Sequence, residues 1–439
     1  MIEFDSNSKT GVSNLRDVSC RGVLLTMGRY NGTLAAARDL GLQGINVVLA
    51  DHLTDTASHA SRHIARRLLA PDVMQPLAFM AWLLDFGKSE PGFVLYPTCD
   101  ELCWLMDKHR KALAEFFYLY QPPQGQIYQV LNKKSLYQTC SALGIDQPAM
   151  WGIQTPSASD EDLATVHYPV LLKPQTQAAL LVQIKGVLIH TPQALREALD
   201  PAQAKFQFRP ELVADDPSVE TPLIQQYFAL ADKNIYSLAG FYAPETGTYL
   251  LRASLKTLQQ PLRIGVGLCF ESRPVHERTA AQLRALMDAV GYKGAFEAEY
   301  IHLESEGRFL LIDFNTRFYG QMGFEIARGI PTAQLCFHAA QADWTRVKAL
   351  ASGSLLWDHN SVWKCRIAWM LKFYVTTLWI GGGMSRRQRA EWNQWAESGN
   401  TYDPIFAKDD PKPARFFMKK VLFDFMRYPR SSFKKYFLP

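Results

Sequence analysis

The strongest constraint on this chain lies between Gly294 and Pro331, GAFEAEYIHLESEGRFLLIDFNTRFYGQMGFEIARGIP. Two apolar runs, Ala295 to Leu303 and Phe309 to Phe314, flank the polar turn Glu304 to Arg308, the pattern of an antiparallel hairpin buried on at least one face. Side chains alternate along a strand, so Asp313, Asn315 and Arg317 share one face, and Glu297 and Glu299 share a face of the neighbouring strand. An unpaired carboxylate is costly to bury, so this face calls for cations. Mg²⁺ takes oxygen ligands, commonly one or two carboxylates with phosphate oxygens, and Asn315 offers an amide oxygen. An arginine two residues further on suits a transferring phosphoryl group. The residues alone leave a plainer reading open: a hairpin whose acids are solvated or paired with Arg308 and Arg317.

A strand ending in acid-x-Asn-x-Arg, followed by Tyr319-Gly320 and preceded by a strand with a second acid, resembles the metal-binding end of the ATP-grasp ligases. The resemblance implies Glu299, Asp313 and Asn315 as Mg²⁺ ligands, with Mn²⁺ as an alternative ion, and Arg317 as a phosphate contact. The family more often has Glu where this chain has Asp313 and Pro where it has Thr316, so the shorter carboxylate loses one methylene of reach.

At 439 residues the chain exceeds one compact core and implies two or three domains. Seven cysteines, scattered from Cys20 to Cys365, argue against a disulfide framework and for a reducing compartment. Cys99 and Cys103 form a CxxxC pair without a second pair or a His cluster, which reads as buried thiols rather than zinc. The polar start MIEFDSNSKTG carries no apolar leader segment. The net charge of +5 is uneven: Pro411 to Pro439 holds eight Lys or Arg against one Asp, a surplus of seven, so the rest of the chain is near −2.

Along the chain, Arg21 to Met27 reads as a strand, a turn at Gly28 to Thr33 follows, then a helix through Leu40 and a strand from Ile45 to Ala50. This unit places a ligand near the turn at the strand's carboxyl end, but the turn is not GxGxxG and a dinucleotide enzyme is a poor match. A third strand, Gly92 to Tyr96, leads into Pro-Thr-Cys-Asp-Glu and a helix. The block resembles the domain that precedes the ATP-grasp fold in carboxylate-amine ligases, which implies Thr98, Asp100 and Arg38 as candidates for the acceptor or carboxylate site.

Within the same resemblance, Lys133 opens a helix and Lys173 ends the strand of Tyr168-Pro-Val-Leu-Leu-Lys-Pro, both as nucleotide phosphate contacts. Gln226, Tyr227 and Asp232 follow the strand from Pro222 and imply adenine and ribose contacts. The loop Gln175 to Lys185 lacks the glycines usual in a phosphate lid, which points to a stiffer lid closed by side chains or to weaker nucleotide binding. Arg263, Lys256 and Arg252, near Gly265-Val-Gly267, imply the site for a carboxylate and its acyl phosphate.

The resulting expectation is an α/β domain before a two-subdomain ATP-grasp fold, with a helical basic C-terminal segment. The boundaries are a lead-in 1–20, then 21–122, a nucleotide subdomain 123–225, a metal and substrate subdomain 226–350, and an extension 351–439. The implied activity is ATP- and Mg²⁺-dependent joining of a carboxylate to an amine through an acyl phosphate. Rivals are a biotin-dependent carboxylase, for which the Ala-Met-Lys-Met site is missing, a ligase with a hydroxyl or thiol acceptor, and a non-catalytic nucleotide sensor. Substrates would be small or linked to lipid or glycan. In the tail, Phe417, Met418, Val421, Leu422, Phe425 and Met426 recur at helical spacing among basic residues, which fits either an anionic membrane surface or packing on the enzyme body. The expected location is the cytoplasm or the inner face of a membrane, with a homodimer as the candidate assembly and without nucleic acid.

Overall fold

The computed structural model describes residue 15 and residues 18–153, 159–182, 184–232, 234–260, 266–355 and 361–431. The first sheet holds β1 (Gly22–Thr26), β2 (Val47–Asp51), β3 (Arg66–Leu69), β4 (Phe93–Leu95) and β5 (Phe117–Tyr118), all parallel, in the order β3-β2-β1-β4-β5. Its central strands, GVLLT, VVLAD and FVL, are buried throughout, as the unbroken apolar runs of a sheet covered on both faces require. β3 and β5 carried no clear sequence signal: β3 is RRLL and β5 only two residues long.

A second, antiparallel sheet comprises β6 (Met150–Trp151), β7 (Val170–Lys173), β8 (Val187–Ile189) and β9 (Leu223–Gln226), in the order β6-β9-β7-β8. The third and largest is β10 (Ile235–Ala243), β11 (Thr248–Gln260), β12 (Val266–Arg273), β13 (Gly294–Leu303), β14 (Arg308–Asn315), β15 (Trp363–Arg366) and β16 (Asn400–Tyr402). Its order is β14-β13-β10-β11-β12-β15-β16, antiparallel except for the last pair.

The expected hairpin is β13 and β14, in register with Glu297 opposite Asn315 and Glu299 opposite Asp313. A bulge follows, since Tyr300 pairs with Leu311 and leaves Ile312 as the extra residue. Bulges re-aim side chains. Here Ile312 and Asp313, neighbours that regular pleating would send to opposite faces, both line the same cleft.

The hairpin is fastened to the first sheet. The Ala295 N–H donates to the Tyr96 hydroxyl at 2.6 Å, the Phe318 N–H donates to the Pro97 carbonyl at 3.0 Å, and the Tyr96 and Phe318 rings stack at 4.3 Å. Gly294 makes the approach possible: its φ is +117°, and a Cβ there would lie 2.5 Å from the Tyr96 hydroxyl. Removing the buried Phe318 ring is expected to cost about 3–5 kcal/mol and to loosen this junction.

The C-terminal extension is not helical alone. β15 and β16 lengthen the large sheet, and helices Ala368–Ile380, Arg386–Glu397 and Lys412–Arg427 surround that edge. In the last helix Ala414 and Val421 are buried, Phe417 packs on Trp369 and Phe425 on Phe373. Met418, Leu422, Phe423 and Met426 remain exposed. No described helix is long and apolar enough to cross a membrane.

Candidate active site

Between the second and third sheets lies a cleft of about 800 Å³. One end is apolar, lined by Leu171, Phe228, Ala231, Ile235, Ile301 and Ile312, with Gln226 and Tyr227 at the end of β9. The other end holds Lys133, Lys173, Lys185 and Lys256 around Glu299 and Asp313. Lys133 stands in the first turn of helix Lys133–Ala142, whose cap is the Asn132 side chain, accepting from the N–H groups of Lys134 and Ser135. Its own N–H donates to the Gln175 carbonyl at 2.7 Å.

Two of the hairpin carboxylates are paired with lysines. Lys133 Nζ lies 2.5 Å from Asp313 Oδ1, and Lys256 Nζ lies 2.7 Å from Glu299 Oε1. Burial works to raise the Asp313 pKa, but the Lys133 charge and hydrogen bond, with Lys185 and Lys173, hold it well below the usual carboxylate range. Glu299 is likewise lowered: burial opposes, and Lys256 and Lys185 prevail. Glu297 moves up through burial and the adjacent charge of Glu299. Burial, with repulsion from Lys133, brings Lys173 down to about 8. Lys185 is exposed at the cleft mouth but crowded by protein, and this crowding together with Lys256 lowers its pKa.

A second chamber, about 1510 Å³, adjoins the charged end and shares Gln177, Lys185, Lys256, Glu299 and Asp313 with the first. It reaches the crevice between β1 and β4, where the order of the parallel sheet reverses and where ligands bind in such sheets. Arg29, Tyr30 and Asn31 line it from the loop after β1, and Asp100 and Glu101 from the first turn of helix Asp100–Lys108 after β4. Arg317 spans the junction: Nε donates to Asp100 Oδ1 at 2.5 Å and Nη2 to Asn315 Oδ1 at 3.0 Å, while Asn315 Nδ2 donates to Glu297 Oε2 at 3.0 Å. Asp100 holds the guanidinium in its charged form against the cost of burial.

Ten of the residues singled out in the sequence meet here: Lys133, Lys173, Gln226, Tyr227, Lys256, Glu299 and Asp313 in the cleft and, through the second chamber, Arg317, Asn315 and Asp100. Arg252 does not. Its parity along β11 matches that of Lys256, but four residues at roughly 3.4 Å each carry it past the end of the cleft. There its guanidinium is buried, donating to the carbonyls of Arg328, Ser354 and Leu251. Arg38 is also elsewhere: it pairs with Asp410 at 3.0 Å and bonds the carbonyls of Pro404 and Ile405. Thr98 is buried against Thr26, hydroxyl to hydroxyl at 2.6 Å, tying β1 to β4. Arg263 lies outside the described residues, as does the side chain of Asp232.

The sequence reading passed over Lys185, Gln177, Arg29 and Glu101. For Lys185 a signal existed: it is the lone cation in QTQAALLVQIK. That glycine-free loop is stapled by side chains. The Gln175 side chain donates from Nε2 to the carbonyls of Ser218 and Thr221 at 2.6 and 2.7 Å, and an antiparallel backbone bridge joins Leu180 to Phe208. Ala179 takes the left-handed conformation, φ 55°, that a glycine would adopt freely.

No family model matches the sequence, and no curated protein matches it. Solved structures do. An L-amino acid ligase from Bacillus licheniformis is 14% identical, with 74% of this chain covering 75% of that one at a TM-score of 0.52. Biotin carboxylase from Campylobacter jejuni, in complex with β-γ-ATP, is 14% identical over 75% of this chain and 72% of that chain, TM-score 0.55. N5-carboxyaminoimidazole ribonucleotide synthetase from Thermus thermophilus is 16% identical over 73% and 78%, TM-score 0.53. The chain has the ATP-grasp fold. The cleft with its four lysines lies between the second and third sheets of this fold.

Proposed function

We propose that this ATP-grasp chain is an ATP- and Mg²⁺-dependent ligase that joins a carboxylate to an amine through an acyl phosphate. The observation that carries the reading is the continuity of the two cavities at one charged junction, Lys185, Lys256, Glu299 and Asp313. The apolar end suits a purine, and the lysines suit a triphosphate. Among the described residues no group of three or more His, Cys, Asp or Glu could hold a metal alone. The fit is to an ion that shares phosphate and water: Glu299 and Asp313, opposite one another in register, would hold Mg²⁺ with Asn315 beside them. Bound there, Mg²⁺ would neutralise charge on the phosphates.

The chain's own residues then supply binding and charge. Lys133 and Lys256 exchange their carboxylate partners for phosphate oxygens. A substrate carboxylate oxygen attacks the γ-phosphorus as the bond to ADP breaks, and Arg317, with Arg263 as a second candidate, stabilises the transferred group. A neutral amine attacks the acyl carbon, inorganic phosphate leaves, and the amine's proton passes to a base. Most of the rate would come from positioning and electrostatics. Gln226 and Tyr227 would meet the purine and Asp232 the ribose, and the division of the chain at 122/123 and 225/226 belongs to the same proposal.

The test is amine-dependent ADP release across pairs of amino acids, sugar acids and lipid-linked amines. Expected is turnover with at least one pair, abolished in Asp313→Ala/Asn315→Ala. Full activity in that variant refutes the site, ATP binding without turnover in every pair marks a sensor, and release with only hydroxyl or thiol acceptors marks the other ligase class.

The tail favours a second role, at an anionic membrane surface. Helix Lys412–Arg427 turns one apolar face to the protein and leaves Met418, Leu422, Phe423 and Met426 exposed beside Lys419 and Arg427. Co-sedimentation with phosphatidylglycerol vesicles is expected to fall in Leu422→Glu/Met426→Glu, and unchanged binding refutes this role. Truncation is the poorer test, since the helix also packs on the body through Phe417 and Val421.

A further inference from the structure

The second chamber has a wall built by the C-terminal extension. Cys365, Ile367 and Pro404 line it together with Leu268 and Phe270. These residues adjoin one another in the sheet: β15 pairs with β12, placing Cys365 opposite Phe270, and Ile367 follows β15 directly. Strand order sorts the chamber by chemistry. The acids Glu297, Glu299 and Asp313 stand on β13 and β14, Lys256 stands on β11, and the apolar residues stand on β12 (Leu268, Phe270), on β15 (Cys365) and just after β15 and β16 (Ile367, Pro404). Neighbouring strands lie roughly 5 Å apart, so the apolar wall begins one strand, roughly 5 Å, from the backbone of Lys256 on β11 and three strands, roughly 15 Å, from that of Glu299 on β13.

The wall is held in place. Arg38 donates Nη1 to the Pro404 carbonyl at 3.2 Å, Nη2 to the Ile405 carbonyl at 2.8 Å, and Nε to Asp410 Oδ2 at 3.0 Å. Asp410 also accepts from Ser61 Oγ at 2.7 Å and the Arg62 N–H at 3.0 Å. The Ala368 N–H donates to Asp403 Oδ2 at 3.0 Å, linking the residue after Ile367 to the residue before Pro404. A surface pinned on both sides is preorganised, and preorganised apolar walls discriminate by size.

The polar side of the chamber includes Glu101, more than nine-tenths buried in the first turn of the helix after β4. A buried carboxyl in a ligand chamber suits an ammonium. Burial and the neighbouring Asp100 push Glu101 up to about 7, so it can exchange a proton with an incoming amine near neutrality.

We propose that the second chamber takes an amine bearing a compact apolar group, with Glu101 at its ammonium and Ile367, Pro404, Leu268 and Phe270 around the apolar group. The C-terminal extension thereby sets the size of the acceptor. The inference rests on the ligase reading above, which supplies the nucleotide end of the site.

Isothermal titration separates the two. The wild-type chain is first titrated with AMPPNP in Mg²⁺, then the loaded protein with L-alanine amide or L-leucine amide. Expected are saturable nucleotide binding and at least tenfold tighter binding of the leucine amide. In Ile367→Trp the leucine amide weakens at least tenfold and the alanine amide changes less than threefold. Glu101→Gln weakens both at least tenfold with nucleotide binding unchanged. Should Ile367→Trp fail to bind nucleotide, Ile367→Ala replaces it, and L-phenylalanine amide is expected to gain at least threefold. Absence of nucleotide binding in the wild type overturns the ligase reading and this inference with it. Nucleotide binding with no amide binding, or a leucine-to-alanine ratio indifferent to residue 367, overturns the inference alone.

Discussion

The contact between Lys133 and Asp313 offers the sharpest test of the charged junction. At 2.5 Å the gross attraction between the two charges, with an effective dielectric of about 20, is about 7 kcal/mol. Desolvation offsets most of it, and a hydrogen bond between charged groups nets about 1.5–3 kcal/mol. The Asp313 side chain is 28% exposed and the Lys133 side chain 9%, which favours the lower half of that range, about 2 kcal/mol. Asp313→Asn leaves a buried ammonium and is expected to cost about 3 kcal/mol. Lys133→Met is expected to cost about 2 kcal/mol, since Lys173 and Lys185 still act on the carboxylate. The double variant is then expected to cost about 3 kcal/mol, less than the sum, giving a coupling of about 2 kcal/mol. For a cooperative unit of about 200 residues this is a non-additivity of roughly 4–8 °C in Tm. Because the folded Asp313 pKa is lowered, its contribution is complete above the ordinary carboxylate range and is lost only as pH falls below it. The cycle is therefore measured at pH 7 by circular dichroism melting. Additivity within about 0.5 kcal/mol would refute the pair.

Lys173, with its pKa brought down to about 8, is charged below that pH and loses its charge as pH rises through it. AMPPNP affinity measured by titration at pH 7, 8 and 9 is expected to fall across this window in the wild type. Lys173→Met is expected to bind at least tenfold more weakly at pH 7 and to lack the step; an identical pH profile contradicts the role. Arg38→Met strips Asp410 of its guanidinium, at a cost of about 3 kcal/mol to the docking of residues 404–410. Limited proteolysis read by mass spectrometry is expected to cleave this segment faster, and an unchanged pattern argues against the clamp. Chelation of divalent ions by EDTA is expected to abolish ADP release while moving Tm by less than about 2 °C, because the described acids at the junction are paired with lysines rather than dependent on a metal for folding. A large drop in Tm would point to a structural metal instead.

What the sequence decided by itself was local and periodic. Alternation along 294–315 places Glu297, Glu299, Asp313 and Asn315 on two strands of one hairpin, and the register confirms that pairing. An apolar run ending in Lys173 announces a buried strand with a cation at its tip, and GVLLT and VVLAD announce a sheet covered on both faces. These signals survive because strand period and burial are written in adjacent residues. Tertiary structure decided everything carried by long-range contact. Arg38 meets Asp410 across 372 positions, Arg317 meets Asp100 across 217, and Ile367 reaches the same chamber as Glu101. Arg252 and Lys256 look alike in the sequence and share a parity on β11, yet what packs over each end of the strand sends one to backbone carbonyls and the other to Glu299. A lone charged residue has no period to betray its partner; only the folded chain, which must pair every buried charge, assigns one.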